Sequence, residues 1–66
     1  MLSPGELIQR ERKKQRLSQK QLAEISGIPK RTIQNIEENK NDATFFTMIC
    51  LAQALGISLD YIAKGE

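Results

Sequence analysis

The sequence predicts an all-α fold, a compact domain of five short helices, and three observations support this prediction. The chain has 66 residues, a length that suits one domain, so we expect residues 1–66 to form a single unit. Glycine, proline and helix-capping residues divide it into five segments. None of these segments shows the sustained alternation of apolar and polar residues that is typical of a β-strand.

The first two helices each begin at a predicted capping box. Residues 3–6 (SPGE) place a serine before Pro4, which suits the first helical position, and a glutamate that can complete the box. Helix one is predicted to continue to about Gln15. Residues 18–21 (SQKQ) repeat the pattern and begin helix two. This helix is predicted to end before Gly27, because glycine adopts positive φ without steric cost.

The remaining three helices have similar start and stop signals. Helix three is predicted over about residues 29–38, since proline suits a helix start and Asn39 tolerates the left-handed φ that ends one. Helix four is predicted to begin after Thr44 and to end at Gly56, and a short helix five to begin within residues 58–60. One face of helix four is predicted to pack on the core through apolar residues at helical spacing: Phe45, Met48, Ile49, Ala52 and Leu55.

The composition argues against several functional classes. The chain has no His and a single Cys, Cys50, so we expect no metal site, no cofactor, no disulfide within the chain and no catalytic residue. No apolar run approaches the roughly 20 residues that cross a bilayer, and the N-terminus lacks the basic start and apolar stretch of a signal peptide. We therefore expect a cytoplasmic, non-enzymatic protein with no small-molecule substrate.

The charge is small but unevenly distributed. The net charge of +2 does not by itself indicate nucleic-acid binding. Residues 1–40 carry nine Lys and Arg against five acidic residues, whereas residues 41–66 carry one against three. Six of the ten basic residues lie within residues 10–20. A solvated helix face explains this run as well as a nucleic-acid surface does.

Helices two and three meet the packing demands of two helices joined by a tight turn. Ala23 supplies the small residue that lets the helices approach, and Gly27, four positions later, lets the chain reverse. Apolar residues at the right spacing complete the joint: Leu22, Ile28, Ile33 and Ile36. The pattern therefore predicts a helix-turn-helix formed by helices two and three.

Helix three has one apolar and one polar face. At about 100° per residue, Ile33, Ile36 and Glu37 share one side. The opposite side carries polar residues: Lys30, Arg31, Gln34, Asn35 and Glu38. Arg can pair with guanine, and Asn or Gln with adenine, through two parallel hydrogen bonds. Any surface helix can display such side chains, so their presence alone does not indicate DNA binding. Their position does, because the first turn of the second helix in a helix-turn-helix reaches base edges. Lys30 and Arg31 occupy that turn.

Several stretches resemble one known family. They are residues 17–24 (LSQKQLAE), 27–33 (GIPKRTI), 36–37 (IE) and 51–61 (LAQALGISLDY). Together they are similar to the phage repressor and Cro-type helix-turn-helix family, the xenobiotic-response-element-like bacterial regulators. The resemblance implies a small transcription regulator that binds double-stranded operator DNA as a homodimer on a two-fold-related site. We expect a repressor, with activation as the alternative that the sequence leaves open.

The resemblance also implies which residues contact DNA. Phosphate contacts are expected from Gln19 and Ser18 at the start of helix two, where free backbone N–H groups could also meet a phosphate oxygen. Base or backbone contacts are expected from residues of helix three: Lys30, Arg31, Thr32, Gln34 and Asn35. Lys40 is the basic candidate in the following loop, where Glu38 would repel phosphate unless it accepts from a cytosine amino group.

The chain departs from the family pattern in the motif itself. Pro29 stands where Ser or Thr often caps helix three, so that cap is expected to be missing. Ile25 occupies a position that is usually polar in the family, and Ser26 one that is usually apolar. Residue types alone do not explain this exchange.

Arg12 and Glu37 both fall on predicted inner faces. Arg12 lies near the side of helix one marked by Leu7 and Ile8. A buried charge is costly unless it is paired, so each residue is the best partner for the other. The resemblance implies such an architectural Arg–Glu bridge, with Arg12 also within reach of a phosphate. The alternative is that both charges reach solvent at the rim.

A second functional hypothesis comes from helix four. Phe46 and Cys50 lie four residues apart beside its apolar stripe, as the edge of the core or as an exposed patch for a partner. Apolar residues crowd the C-terminal end, which favours a homodimer contact there: Ile57, Leu59, Tyr61 and Ile62. The alternative to DNA binding is therefore a helical protein–protein interaction module that keeps the fold, and the salt dependence of binding separates the two.

Overall fold

The computed structural model describes residues 2–40 and 43–64, and within them the chain is all-helical. Its helices are α1 (Pro4–Lys14), α2 (Gln19–Ser26), α3 (Lys30–Glu37), α4 (Phe45–Leu55) and α5 (Leu59–Lys64). No strand occurs in these two ranges. The predicted fold class is confirmed, and the predicted helix starts and ends agree with the structure to within about one residue.

The predicted capping boxes are both present. In the first, Ser3 N donates to Glu6 Oε1 (2.8 Å) and Glu6 N donates to Ser3 Oγ (3.2 Å). In the second, Ser18 and Gln21 exchange the same two hydrogen bonds, at 2.8 and 3.0 Å. The backbone hydrogen bond from Ser3 lowers the pKa of Glu6, because it favours the ionised carboxylate.

The core forms where the helices meet, with α2 packed against α3 and α4, and α1 against α3, α4 and α5. The predicted apolar contacts of helices one to three are buried: Leu7, Ile8, Leu22, Ile28, Ile33 and Ile36. From α4 the core takes Leu51, Ala52 and Leu55. α5 contributes Ile62, so this residue is not part of a free apolar surface.

One expectation for α4 is wrong. Phe45 was expected to face the core, but it is 73% exposed. The buried face of α4 is centred between Leu51 and Ala52, and at about 100° per residue Phe45 lies at the border of that face. It is also the first residue of the helix, which places it beyond the end of the core.

The start of α1 lies against the end of α3. A Cβ atom on Gly5 would stand 2.0 Å from the carbonyl oxygen of Ile36, so only glycine fits at this contact. Next to it, Ser3 Oγ donates to Asn39 Oδ1 (3.0 Å). Asn39 has a φ of 59°, as predicted for the residue that ends helix three. The close approach of Gly5 and the hydrogen bond from Ser3 to Asn39 therefore hold the end of α3 against the start of α1.

Candidate nucleic-acid interface

The turn between α2 and α3 is built from backbone conformation and one serine. Gly27 has a φ of 78°, and its N–H donates to Ala23 O (2.9 Å), which ends α2. Ser26 Oγ accepts from the backbone N–H of Ile28 at 3.1 Å. This hydrogen bond explains a serine at a position that is often apolar. α3 follows directly after Pro29, which provides no side-chain cap, as predicted.

α3 is anchored by its inner face. Ile33 and Ile36 are buried in the core, and Glu37 is buried beside them. On the outer face Lys30, Arg31 and Gln34 are exposed. Thr32 and Asn35 are half-buried at the border between the two faces. The apolar contacts therefore hold α3 in one orientation, and its first two turns present mainly polar side chains to solvent.

The outer side chains of α3 make no contacts that would compete with a ligand. Within residues 2–40 and 43–64, the side chains of Lys30, Arg31, Gln34 and Asn35 have no hydrogen bond or ion pair with the protein. Lys40 differs, because its Nζ lies 3.0 Å from Glu38 Oε1. This exposed pair offsets the positive charge that the loop after α3 was expected to offer.

The N-terminus of α2 offers several donors. Ser18 Oγ and the N–H of Gln21 are used in the capping box, but the hydroxyl hydrogen of Ser18 stays available. The backbone N–H groups of Gln19 and Lys20 have no acceptor among the described residues, as is usual in the first turn of a helix. The partial positive charge at this helix end favours an anion.

A buried ion pair joins α1 to α3, as predicted. Arg12 Nε and Nη2 donate to the two carboxylate oxygens of Glu37 at 2.8 and 2.9 Å, and the Glu37 side chain is 0% exposed. Arg12 Nη1 also donates to the carbonyl oxygen of Leu17 (2.8 Å), just before α2 begins. In the described part of the chain, no buried side-chain nitrogen or oxygen lacks a partner. Arg12 therefore holds the start of α2 as well as α3.

The structure adds one member to this pair that the sequence did not reveal. Gln19 Nε2 donates to Glu37 Oε1 at 3.1 Å, so a residue expected at a phosphate also touches the buried carboxylate. The two positions are 18 residues apart, and no local spacing signals their contact.

A second polar cluster connects α1 to α5 and was also missed. Glu11 is buried, and its Oε2 accepts from the Tyr61 hydroxyl at 3.3 Å. Arg10 Nη2 donates to the same hydroxyl, and Lys14 Nζ lies 3.5 Å from Glu11 Oε2. Arg10 is thus turned towards α5, whereas Lys14 pairs with Glu11 within α1. For Arg10 and Lys14, this placement supports the interpretation of the basic run as a helix face rather than a binding surface.

Neither a membrane span nor a metal cluster is evident in the described ranges. None of the helices there combines the length and the apolar character needed to cross a bilayer. The same part of the chain contains no group of His, Cys, Asp and Glu side chains that could hold a metal ion.

Comparison with known proteins identifies the family. The sequence model of the family described as Helix-turn-helix matches residues 8–62. An uncharacterized HTH-type transcriptional regulator, y4mF, of Sinorhizobium fredii (strain NBRC 101917 / NGR234) is 37% identical over 62 residues, which cover 94% of this chain and 82% of the relative. The control protein C.SmaI of Serratia marcescens is 46% identical over 43 residues, 65% of this chain and 51% of that protein, so the match spans about half of it. No solved structure gives a significant match. The chain belongs to the helix-turn-helix family, of the phage repressor and Cro type.

Proposed function

We propose that this protein is a sequence-specific regulator of transcription that binds double-stranded DNA with α3 in the major groove. The observation that carries the proposal is the outer face of α3, where Lys30, Arg31 and Gln34 are exposed and unbonded on a helix held firmly by the core. Such side chains can match base edges without first breaking contacts within the protein. Family membership supports DNA-binding transcription regulation independently of this face.

The proposed contacts divide into two groups. Lys30, Arg31, Gln34 and Asn35 would read bases, and Thr32 would contact a base or the backbone. Phosphates would be held by Gln19, by the Ser18 hydroxyl and by the free N–H groups at the start of α2. Lys40 is the weakest of the proposed contacts, because it must leave Glu38 to reach a phosphate.

The proposed regulator is a repressor that acts in the cytoplasm as a homodimer on a two-fold-related operator. The motif of one chain covers one half-site, and a second copy reads the other about one helical turn, 34–36 Å, away. The exposed Phe46 and the half-buried Ile57, Leu59 and Tyr61 offer apolar surface for the contact between copies.

The test is selection of binding sites from a random duplex pool at about physiological salt. Enrichment of a near-palindrome with half-sites one helical turn apart would support a dimeric major-groove reader. Arg31→Ala should then relax the base preference at one position in each half-site, whereas Gln53→Ala, an exposed position on α4, should leave it unchanged. A folded protein that enriches no sequence would contradict the proposal.

The second candidate function is a protein–protein interaction module. It is favoured by two aromatic side chains at the start of α4, Phe45 and Phe46, which are 73% and 70% exposed. Binding through this patch would change little with salt, whereas DNA binding weakens steeply as salt increases. A partner captured with salt-insensitive affinity that Phe46→Ala abolishes would favour this function.

A further inference from the structure

Glu37 is the residue at which three elements meet. Its carboxylate accepts two hydrogen bonds from Arg12 of α1 and one from Gln19 of α2, while Glu37 itself belongs to α3. The Arg12 side chain is 9% exposed and that of Glu37 is fully buried, so the two hydrogen bonds between them are shielded from water. Gln19, in contrast, is only half-buried and reaches the surface.

The carboxylate fixes which way the Gln19 side chain faces. An ionised carboxylate can only accept hydrogen bonds, so the amide nitrogen of Gln19, and not its oxygen, must point towards Glu37. One hydrogen of Nε2 is used in this contact at 3.1 Å, and the second remains to donate elsewhere. Gln19 therefore carries two available donors, this second side-chain hydrogen and its own backbone N–H group in the first turn of α2.

We propose that Glu37 is a positioning residue for phosphate binding, which acts through Gln19; this inference rests on the proposed DNA-binding function. Glu37 holds the Gln19 amide so that its remaining hydrogen and the backbone N–H groups of Gln19 and Lys20 converge on one phosphate oxygen. The side chain is thereby preorganised, and binding costs less side-chain entropy than a freely rotating glutamine would lose. Glu37 itself makes no contact with DNA.

Positioning and simple electrostatics predict opposite results when the carboxylate is removed. Glu37→Gln removes one negative charge, which on charge alone strengthens attraction to DNA. A carboxamide at position 37 instead has a single oxygen, which the Arg12 fork would engage, and an amide nitrogen that repels that of Gln19. The Gln19 amide then turns away or becomes mobile, and phosphate binding weakens. Glu24→Gln is the matched control, since Glu24 is exposed on α2 and has no partner among the described residues.

The experiment is a double-mutant cycle on DNA affinity, using the selected duplex and protein that circular dichroism shows to be folded. Gln19→Ala should weaken binding about tenfold, the usual effect of losing one hydrogen bond to a charged group. Glu37→Gln should weaken it about fivefold in the natural background and less than about twofold in the Gln19→Ala background. Glu24→Gln should leave affinity unchanged or slightly increase it.

A surface variant keeps the inference testable if Glu37→Gln does not fold. Gln19→Asn retains the carboxamide but is one methylene shorter, so it cannot reach Glu37. It should bind DNA nearly as weakly as Gln19→Ala, and wild-type affinity for Gln19→Asn would overturn the inference. Equal effects of Glu37→Gln in both backgrounds, or tighter binding by it, would also overturn the inference while leaving the proposed function intact. If wild type enriches no duplex, the proposed function fails and the inference fails with it.

Discussion

The buried pair of Arg12 and Glu37 allows a sharp prediction about stability. Arg12→Met removes three hydrogen bonds, two to Glu37 and one to Leu17 O, and leaves a fully buried carboxylate with only the Gln19 amide as partner. The double variant Arg12→Met/Glu37→Leu removes both charges and fills their space with apolar side chains. The single change should therefore be far more damaging than the double change.

The magnitudes follow from the environment of the pair. Breaking a buried pair on one side costs about 3–5 kcal/mol, because an uncompensated charge stays buried. The double variant leaves no buried charge, but Leu17 O and the Gln19 amide lose a partner, which costs about 1–2 kcal/mol. A domain of this size has about 3–10 kcal/mol of stability in total, so Arg12→Met should lose a large part of it. The two proteins should differ in Tm by about 10 °C or more.

Urea unfolding followed by circular dichroism, with thermal melts as a second measurement, provides the assay. We expect the order wild type, double variant, single variant in the free energy of unfolding, with the double variant about 1–2 kcal/mol below wild type. A single variant that loses less than about 1 kcal/mol, or a double variant no more stable than the single, would show that the charges are effectively solvated and refute the reasoning.

Three further predictions concern other parts of the molecule. Gly5→Ala should destabilise the protein by about 1–3 kcal/mol, because its Cβ would stand 2.0 Å from the backbone oxygen of Ile36; a gain in Tm, normal for Gly→Ala in a helix, would contradict this contact. The pKa of Glu6 is lowered by Ser3, so its charge contributes stability above the ordinary Glu pKa of about 4.3 and this contribution is lost as pH falls through the lowered value. Glu6→Gln should therefore be less stable than wild type at pH 7 but not at pH 2 in urea titrations, and an equal difference at both would exclude the charge as its cause. Asn35→Ala should cost about 1–3 kcal/mol of DNA binding and relax one base preference, and an unchanged preference in a base-by-base scan would remove Asn35 from the reading set.

The sequence was sufficient to predict those features that depend on neighbouring residues. Capping boxes, helix ends and the inner faces of the first three helices are encoded within a few positions, and the structure agrees with them. The Arg12–Glu37 pair was also predictable, because two charges on inner faces have few other partners.

The features that escaped prediction depend on tertiary placement. Helical periodicity shows that α4 has an apolar side but not how that side is centred on the core, so Phe45 was misplaced. Glu11 meets Tyr61 and Gln19 meets Glu37 across 50 and 18 residues, distances over which residue types carry no pairing signal. The closeness of Gly5 to the Ile36 carbonyl likewise exists only once α1 lies on α3.

The structure also has a consequence for how such a chain can change over evolutionary time. Arg12, Glu37 and Gln19 hold three helices together through shared atoms, so a substitution at any one of them disturbs the others. Lys30 and Arg31 bond to nothing else in the described chain, so substitutions there would change the proposed DNA recognition at little cost in folding. Under the proposed function, the scaffold could be inherited unchanged while binding preference diverged, which would let duplicated copies acquire distinct targets within a few mutational steps.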